Sequence, residues 1–161
     1  MRLSLFISML CIAGSAAAQA PDTVSGPLIG AWASLTLGPG KASNRDGTRI
    51  GAQLGGYGSY GHWLAGYRRG GASGIESGGV YDDAVLFGWR VTQMYTTGFV
   101  AVGPAKLYDE STGQGTLGLG FNAEAGVNVR AIGLVASLFG AVASHRSYIA
   151  IGLTADAGWL R

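Results

Sequence analysis

LGLGFNAEAGVNV, the stretch from Leu117 to Val129, decides the fold. Every odd position is apolar (Leu117, Leu119, Phe121, Ala123, Ala125, Val127, Val129), and the even positions read Gly118, Gly120, Asn122, Glu124, Gly126 and Asn128. A period of two over this length puts the apolar side chains on one face of a β-strand and is incompatible with an amphipathic helix.

Working outward, the same alternation recurs. Ile29, Ala31, Ala33, Leu35 and Leu37 oppose Gly30, Trp32, Ser34 and Thr36, and Ile50, Ala52 and Leu54 oppose Arg49, Gly51, Gln53 and Gly55. Trp63, Ala65 and Tyr67 stand against Leu64, Gly66 and Arg68; Val85, Phe87, Trp89 and Val91 against Leu86, Gly88, Arg90 and Thr92. A fifth strand from Gly98 to Gly103 has no clear facing, a seventh runs from Ile132 to Val142, and the last sets Ile149 to Trp159 against Ala150 to Gly158. The pattern predicts an all-β chain of eight strands.

Connections separate two classes of turn. Gly38 to Gly47, Gly70 to Gly79 and Lys106 to Gly115 read as long loops, whereas Ser59 to Gly61, Gln93 to Thr97 and Asn128 to Ala131 are tight; only Ser144 to Ser147 departs from the alternation. Alternating short and long connections, with small and polar residues on one strand face, predict an antiparallel up-and-down barrel of the outer-membrane type. In so narrow a barrel the interior is filled by side chains, so the polar face (Arg49, Arg68, Arg90, Glu124, Arg130, Asp156 among Gly, Ser, Asn and Thr) belongs to the lumen and the apolar face to lipid. Tyr57, Tyr60, Trp63, Tyr67, Tyr81, Trp89, Tyr95, Tyr148 and Trp159 are expected to form interfacial girdles.

Composition points the same way. Of 161 residues 29 are glycine and only 12% are charged, about half of the ~25% usual in soluble domains. Arg2, the apolar run Leu3 to Gly14 and the small-residue stretch Ser15 to Ala20 read as a secretory signal peptide, with residues 1–18 removed and residues 19–161 forming a single barrel domain. Cys11 falls inside that segment, so no disulfide or thiol chemistry is expected of the mature protein. Charge is nearly balanced, which excludes a nucleic-acid binder. The longest apolar run, Ala131 to Ala143, is too short and too interrupted for a membrane helix.

Motifs for chemistry are few. Gly56, Gly58 and Gly61, and Gly113, Gly115 and Gly118, match a dinucleotide fingerprint in letters, yet no helix pattern follows either, so no cofactor is expected. Asp82 with Asp83 and Asp109 with Glu110 read as solvated loop carboxylates without metal-loop spacing, and His62 and His145 stand alone. His145 and Ser147, two apart at the start of the last strand, are the minimum for a base-activated nucleophile, although Asp156 has the wrong parity to orient His145. The pair resembles the His-x-Ser element of outer-membrane lipid A deacylases, which would imply a lipid A-modifying hydrolase. The segment Tyr81 to Gly88, with the ending from Ser147 and Tyr148 through Gly158, Leu160 and Arg161, resembles a group of uncharacterised exported bacterial proteins without assigned activity.

The sequence therefore leads to a monomeric barrel in the outer membrane of a Gram-negative bacterium, in a structural or surface-interaction role. The alternatives are the hydrolase on His145 and Ser147, and a soluble periplasmic barrel that binds a lipid-like ligand as lipocalin-type barrels do. Expected partners are lipid or lipopolysaccharide, with an external partner at the loops that carry Lys41, Arg45, Asp46, Arg69, Glu76, Lys106, Asp109 and Glu110.

Overall fold

A computed structural model shows a closed barrel of eight antiparallel strands: β1 (Ile29–Ala42), β2 (Arg49–Tyr60), β3 (Trp63–Gly74), β4 (Gly78–Thr92), β5 (Thr96–Asp109), β6 (Gly115–Val129), β7 (Ile132–Val142) and β8 (Ser147–Trp159). The structure describes residues 29–43, 46–74, 78–93, 95–129 and 131–159. The signal segment 1–18 with its cleavage site, and Arg45, Glu76, Arg130, Leu160 and Arg161, lie outside the described residues. Each strand pairs with its sequence neighbour, and β8 returns to β1 from Ala31↔Trp159 to Ala42↔Tyr148. Closure gives every strand two partners and leaves no free edge.

The facing follows the alternation. In β1, Leu35 and Leu37 are exposed while Trp32, Ser34 and Thr36 are buried; in β6, Leu119 and Val127 face out while Asn122, Glu124 and Asn128 face the lumen. For β5, whose sequence left the facing open because apolar residues occupy both parities, Phe99, Ala101, Ala105 and Leu107 point inward and Val100, Val102 and Lys106 outward.

Three expectations need correction. The long loops shrink, because β1, β3 and β5 continue through Gly38, Gly70 and Lys106; the connections at that end are residues 43–48, 75–77, 110–114 and 143–146, so the seventh is no longer unusual. Lys41, Arg69, Lys106 and Asp109 consequently sit on strands. Asp82 is not a solvated loop carboxylate: it lies fully buried in the lumen on β4. Tyr57 and Tyr148, assigned to girdles, are lumen residues as well, since both occupy the inward parity of their strands.

The lumen also holds larger side chains than a Gly-rich face suggests. Trp32, Tyr57 and Phe99 cluster near the turn end with ring centroids 5.1–6.1 Å apart, Trp32 stacked on Tyr57 and Phe99 tilted against both, and Phe139 and Tyr148 meet near the loop end. Glycine makes the room: a Cβ on Gly66 would stand 2.2 Å from the Tyr57 ring. Between the aromatic groups lies a polar brace. Arg68 on β3 pairs with Asp82 on β4, donates to the carbonyls of Phe121 at 2.6 Å and Gly140 at 3.1 Å, and meets the Tyr148 hydroxyl, which itself donates to Asp82. Arg68 and Asp82 are inaccessible to solvent, and Tyr148 is buried beside them.

Removing one partner of such a pair strands the other charge. The variant Asp82→Ala is expected to destabilise the refolded barrel by about 3–5 kcal/mol in urea titration, whereas the double replacement of Arg68 and Asp82 by Met and Leu recovers most of that loss.

Candidate functional site

Position relative to the barrel axis separates three places where function could lie: the lumen, the turn end and the loop-bearing rim. At the turn end, Tyr60, Trp63, Trp89 and Tyr95 are all exposed, His62 stacks on Trp89 at 4.8 Å, and Gly61 takes a positive φ of 59° to make the tight β2–β3 turn. The His62 Nδ1 lies 3.0 Å from the carbonyl of Arg90, so this histidine is tied into the turn. The two glycine runs with fingerprint spacing lie on strand and turn.

The rim is braced rather than loose. Asp109 caps the β5–β6 connection through the amide of Ser111 at 2.8 Å, and Gly113, at φ 64°, donates its amide to the Asp109 carbonyl. Arg146, from the β7–β8 connection, reaches over to donate to the Gln114 carbonyl at 2.5 Å and the Thr112 hydroxyl at 3.2 Å, with Asp109 at 3.8 Å. Ser43 and Ser147 exchange hydrogen bonds of 2.7 and 2.8 Å, joining the end of β1 to the start of β8. Neighbouring connections therefore hold one another.

His145 is exposed in the bend before β8, and Ser147 is partly buried on the strand. Among the described residues no hydrogen bond joins them; the Ser147 amide is engaged by the Ser43 hydroxyl. Among the described residues, too, no group of three or more His, Cys, Asp or Glu side chains is placed to hold a metal ion. What Ser147 does share is a groove of about 370 Å³, walled by Phe121, Val142 and Ile149 and reached by Lys41.

Just below the rim, on the outer surface, Arg69, Asp83 and Lys106 occupy consecutive paired positions across β3, β4 and β5, and Asp83 also receives the Tyr67 hydroxyl. Lys41 and Lys106 belong to a repeat that the strand-by-strand reading passed over: Leu35-Thr36-Leu37-Gly38-Pro39-Gly40-Lys41 in β1 and Val100-Ala101-Val102-Gly103-Pro104-Ala105-Lys106 in β5. The signal was available in the sequence as a Gly-Pro-x-Lys element following alternating apolar residues. Both copies interrupt a ladder. Pairing of β1 with β8 skips from Leu37↔Leu153 to Gly40↔Ala150, and pairing of β4 with β5 skips from Ala84↔Ala105 to Phe87↔Val102. Proline has no amide to donate to the ladder. Glycine tolerates the resulting close approach: a Cβ on Gly38 or Gly103 would lie 2.1 or 2.0 Å from the carbonyl oxygen of Ile151 or Val85. In an eight-strand ring β1 and β5 stand opposite each other, so the two lysines emerge outward on opposite sides.

No family model matches the sequence, and no curated protein matches it. Solved structures match in shape. Neisserial surface protein A, NspA, aligns over 84% of this chain and 100% of its own at a TM-score of 0.56 and 6% identity. Ail, the attachment invasion locus protein of Yersinia pestis, aligns in complex with the heparin analogue sucrose octasulfate over 83% of this chain and 99% of its own, with a TM-score of 0.52 and 14% identity. A second Ail structure gives 0.50 and 15% over 84% and 99%. The shared property is the fold: the closed eight-stranded barrel of small outer-membrane proteins.

If Arg146 clamps the rim, Arg146→Ala should speed hydrogen exchange at the amides of residues 109–114 by about tenfold, the equivalent of one hydrogen bond to a charged group, and leave the central amides of β6 unchanged.

Proposed function

We propose that this protein is a small outer-membrane barrel of a Gram-negative envelope, delivered by the signal segment 1–18, whose rim engages phosphate groups of neighbouring lipopolysaccharide. The observation that carries the reading is the order of side chains along the outer surface. Tyr60, Trp63, Trp89 and Tyr95 stand at the turn end; a belt including Leu35, Leu37, Leu54, Phe87, Val102, Leu119 and Leu153 follows; Lys41, Arg69 and Lys106 stand at the loop end. The exposed apolar side chains encircle the barrel, a surface that water-soluble monomers do not carry. Aromatic residues at one boundary and cations at the other suit a slab of hydrocarbon between two headgroup layers.

Phosphate is the anion that the rim would meet. Lys41 is exposed at the mouth of an apolar groove, and Arg69 and Lys106 flank a single carboxylate, Asp83, so the row across β3 to β5 carries an excess positive charge. Ail was crystallised with a sulfated saccharide analogue. An anionic sugar on a related scaffold makes a phosphorylated glycolipid a reasonable ligand class here. The filled interior supports this placement of function outside the lumen: Arg68, Leu86, Leu107, Val135 and Phe139 are all buried there, in place of the apolar ligand cavity of a lipocalin-type barrel.

Two measurements test the reading. Arg at Ala123, midway along β6, should cost about 2–4 kcal/mol of stability in phospholipid vesicles, and Arg at Val129, beside the turn, only about 0–1 kcal/mol, because the penalty follows depth in the bilayer. Equal costs would refute membrane residence. For the ligand, a variant carrying Lys41→Ala, Arg69→Ala and Lys106→Ala should bind phosphorylated lipopolysaccharide more weakly than the unaltered protein and with a shallower salt dependence. Dephosphorylated lipopolysaccharide should bind both alike; no difference between the proteins on the phosphorylated form would reject the rim as the site.

A further inference from the structure

Where β8 closes on β1, one outward-facing row of paired residues crosses four strands. Phe121 on β6 pairs with Gly140 on β7, Gly140 with Ile149 on β8, and Ile149 with Lys41 on β1. The adjacent row on the rim side is Leu119, Val142 and Ser147, with Ser43 hydrogen-bonded beside Ser147. On the other side, toward the belt, stand Ala123, Leu138 and Ile151. Gly140 lets the Phe121 ring lie low over the strand, since a Cβ there would meet the ring at 2.8 Å. Phe121 is half-buried although its parity points outward, and beside it opens the groove of about 370 Å³ between Phe121, Val142 and Ile149. Ligand sites span about 300–1,000 Å³, and a groove at the lower end of that range suits a slender chain.

The walls of the groove are apolar and its rim end is not. Lys41, Ser43 and Ser147 line that end, and the Ser43 hydroxyl, which accepts from the Ser147 amide, keeps its own hydrogen to donate. Of the three outward cations Lys41, Arg69 and Lys106, only Lys41 lacks a counter-charge among the described residues. Arg69 lies 3.9 Å from Asp83, and Lys106 pairs with Asp83 across the ladder and lies 5.2 Å from the centre of the Tyr108 ring. Lys41 is exposed, and among the described residues no carboxylate or hydrogen-bond acceptor takes up its ammonium group. An aliphatic chain along the walls with an anion at the rim end satisfies both halves of the groove. The chemistry that fits is an anionic lipid.

We propose that this groove seats one acyl chain of a lipid A molecule, with a phosphate of the same molecule on Lys41 and Ser43, so that the seam between β8 and β1 holds a single lipopolysaccharide in a fixed position. The seat rests on the rim lying among lipopolysaccharide, as proposed above, and adds to that reading a place, a chain and a stoichiometry. A chain that leaves neighbouring lipid tails for the groove gains little hydrophobic free energy. What it gains is close packing, which depends on fit and so decides where the molecule sits. The phosphate supplies the attraction. Across β3 to β5, by contrast, a phosphate on Arg69 or Lys106 competes with Asp83.

The test is native mass spectrometry of the full chain, refolded in detergent and titrated with phosphorylated lipid A, with its phosphorylated disaccharide stripped of acyl chains, and with phosphatidylglycerol. One lipid A should stay bound per barrel. Val142→Trp and Ile149→Trp, which fill the groove from different walls, should each weaken it about threefold, the worth of a handful of carbon contacts, and Lys41→Ala about fivefold, the worth of one cation at a lipid surface. Arg69→Ala together with Lys106→Ala should leave that lipid almost as tightly held. The disaccharide without chains should bind the tryptophan variants and the unaltered protein alike. Tryptophan variants that hold lipid A as tightly as the unaltered protein would overturn the groove and leave the rim's phosphate contact standing; that contact falls only if Lys41→Ala and the Arg69 and Lys106 pair are also without effect. Several lipids retained with equal strength would overturn the single seat. Phosphatidylglycerol held as tightly as lipid A, with the same loss in Val142→Trp, would overturn lipid A as the occupant.

Discussion

Closure of the sheet governs the rest of this structure. Once β8 pairs with β1, backbone donors and acceptors along the strands can find partners within the ring, and the two sheet faces become an enclosed lumen and an outer wall. Only the inner face is then a core in the ordinary sense. The outer face is released from the rule that apolar side chains must hide from water, provided that the solvent around it is not water. The alternation in β6 expresses this division residue by residue, with Asn122 and Glu124 inside and Leu119 and Val127 outside.

Because the lumen is narrow, its contents are set by geometry before chemistry. Trp32, Tyr57, Phe99, Phe139 and Tyr148 occupy the width that glycines on adjacent strands leave open, and the polar groups fit between the two aromatic layers. The polar contacts cross the barrel: Arg68 on β3 reaches the Gly140 carbonyl on β7, and Gln53 on β2 reaches Glu124 on β6. A shift of any strand by one residue would turn these groups outward and put leucine or valine inside. Such contacts contribute to the choice of register more dependably than to net stability, since buried ion pairs repay little beyond their own desolvation.

At the outer wall the same parity acts in reverse. Lys41, Arg69 and Lys106 share the outward parity of the apolar belt and differ from it only in height, so strands that run past the belt carry cations to the rim without loops to hold them. The two Gly-Pro-x-Lys copies place an interrupted ladder below each lysine on opposite sides of the ring. Loss of an amide to proline and the close approach allowed by glycine accompany these two interruptions of regular pairing.

Much of the fold was legible in the sequence: eight strands, their order, and the facing of six of them follow from a period of two that no helix can imitate. Strand ends were not legible. Gly38, Gly70 and Lys106 look like loop residues by composition, and only pairing with a neighbouring strand extends β1, β3 and β5 through them. Tyr57 and Tyr60 show the opposite case: the outward parity of Ile50, Ala52 and Leu54 already separates Tyr57, buried, from Tyr60, exposed at a turn, and the girdle expectation missed it because it went by residue type and not by parity. Asp82 and Asp83 make the same point: they are adjacent in sequence and chemically identical, yet one faces Arg68 in the lumen and the other Arg69 on the outer wall. The sequence by itself determined that faces alternate and which residues share one. Which residues on different strands meet across the lumen was decided only when closure brought β2 opposite β6 and β3 opposite β7, since contacts across a ring depend on register and curvature that no single strand encodes.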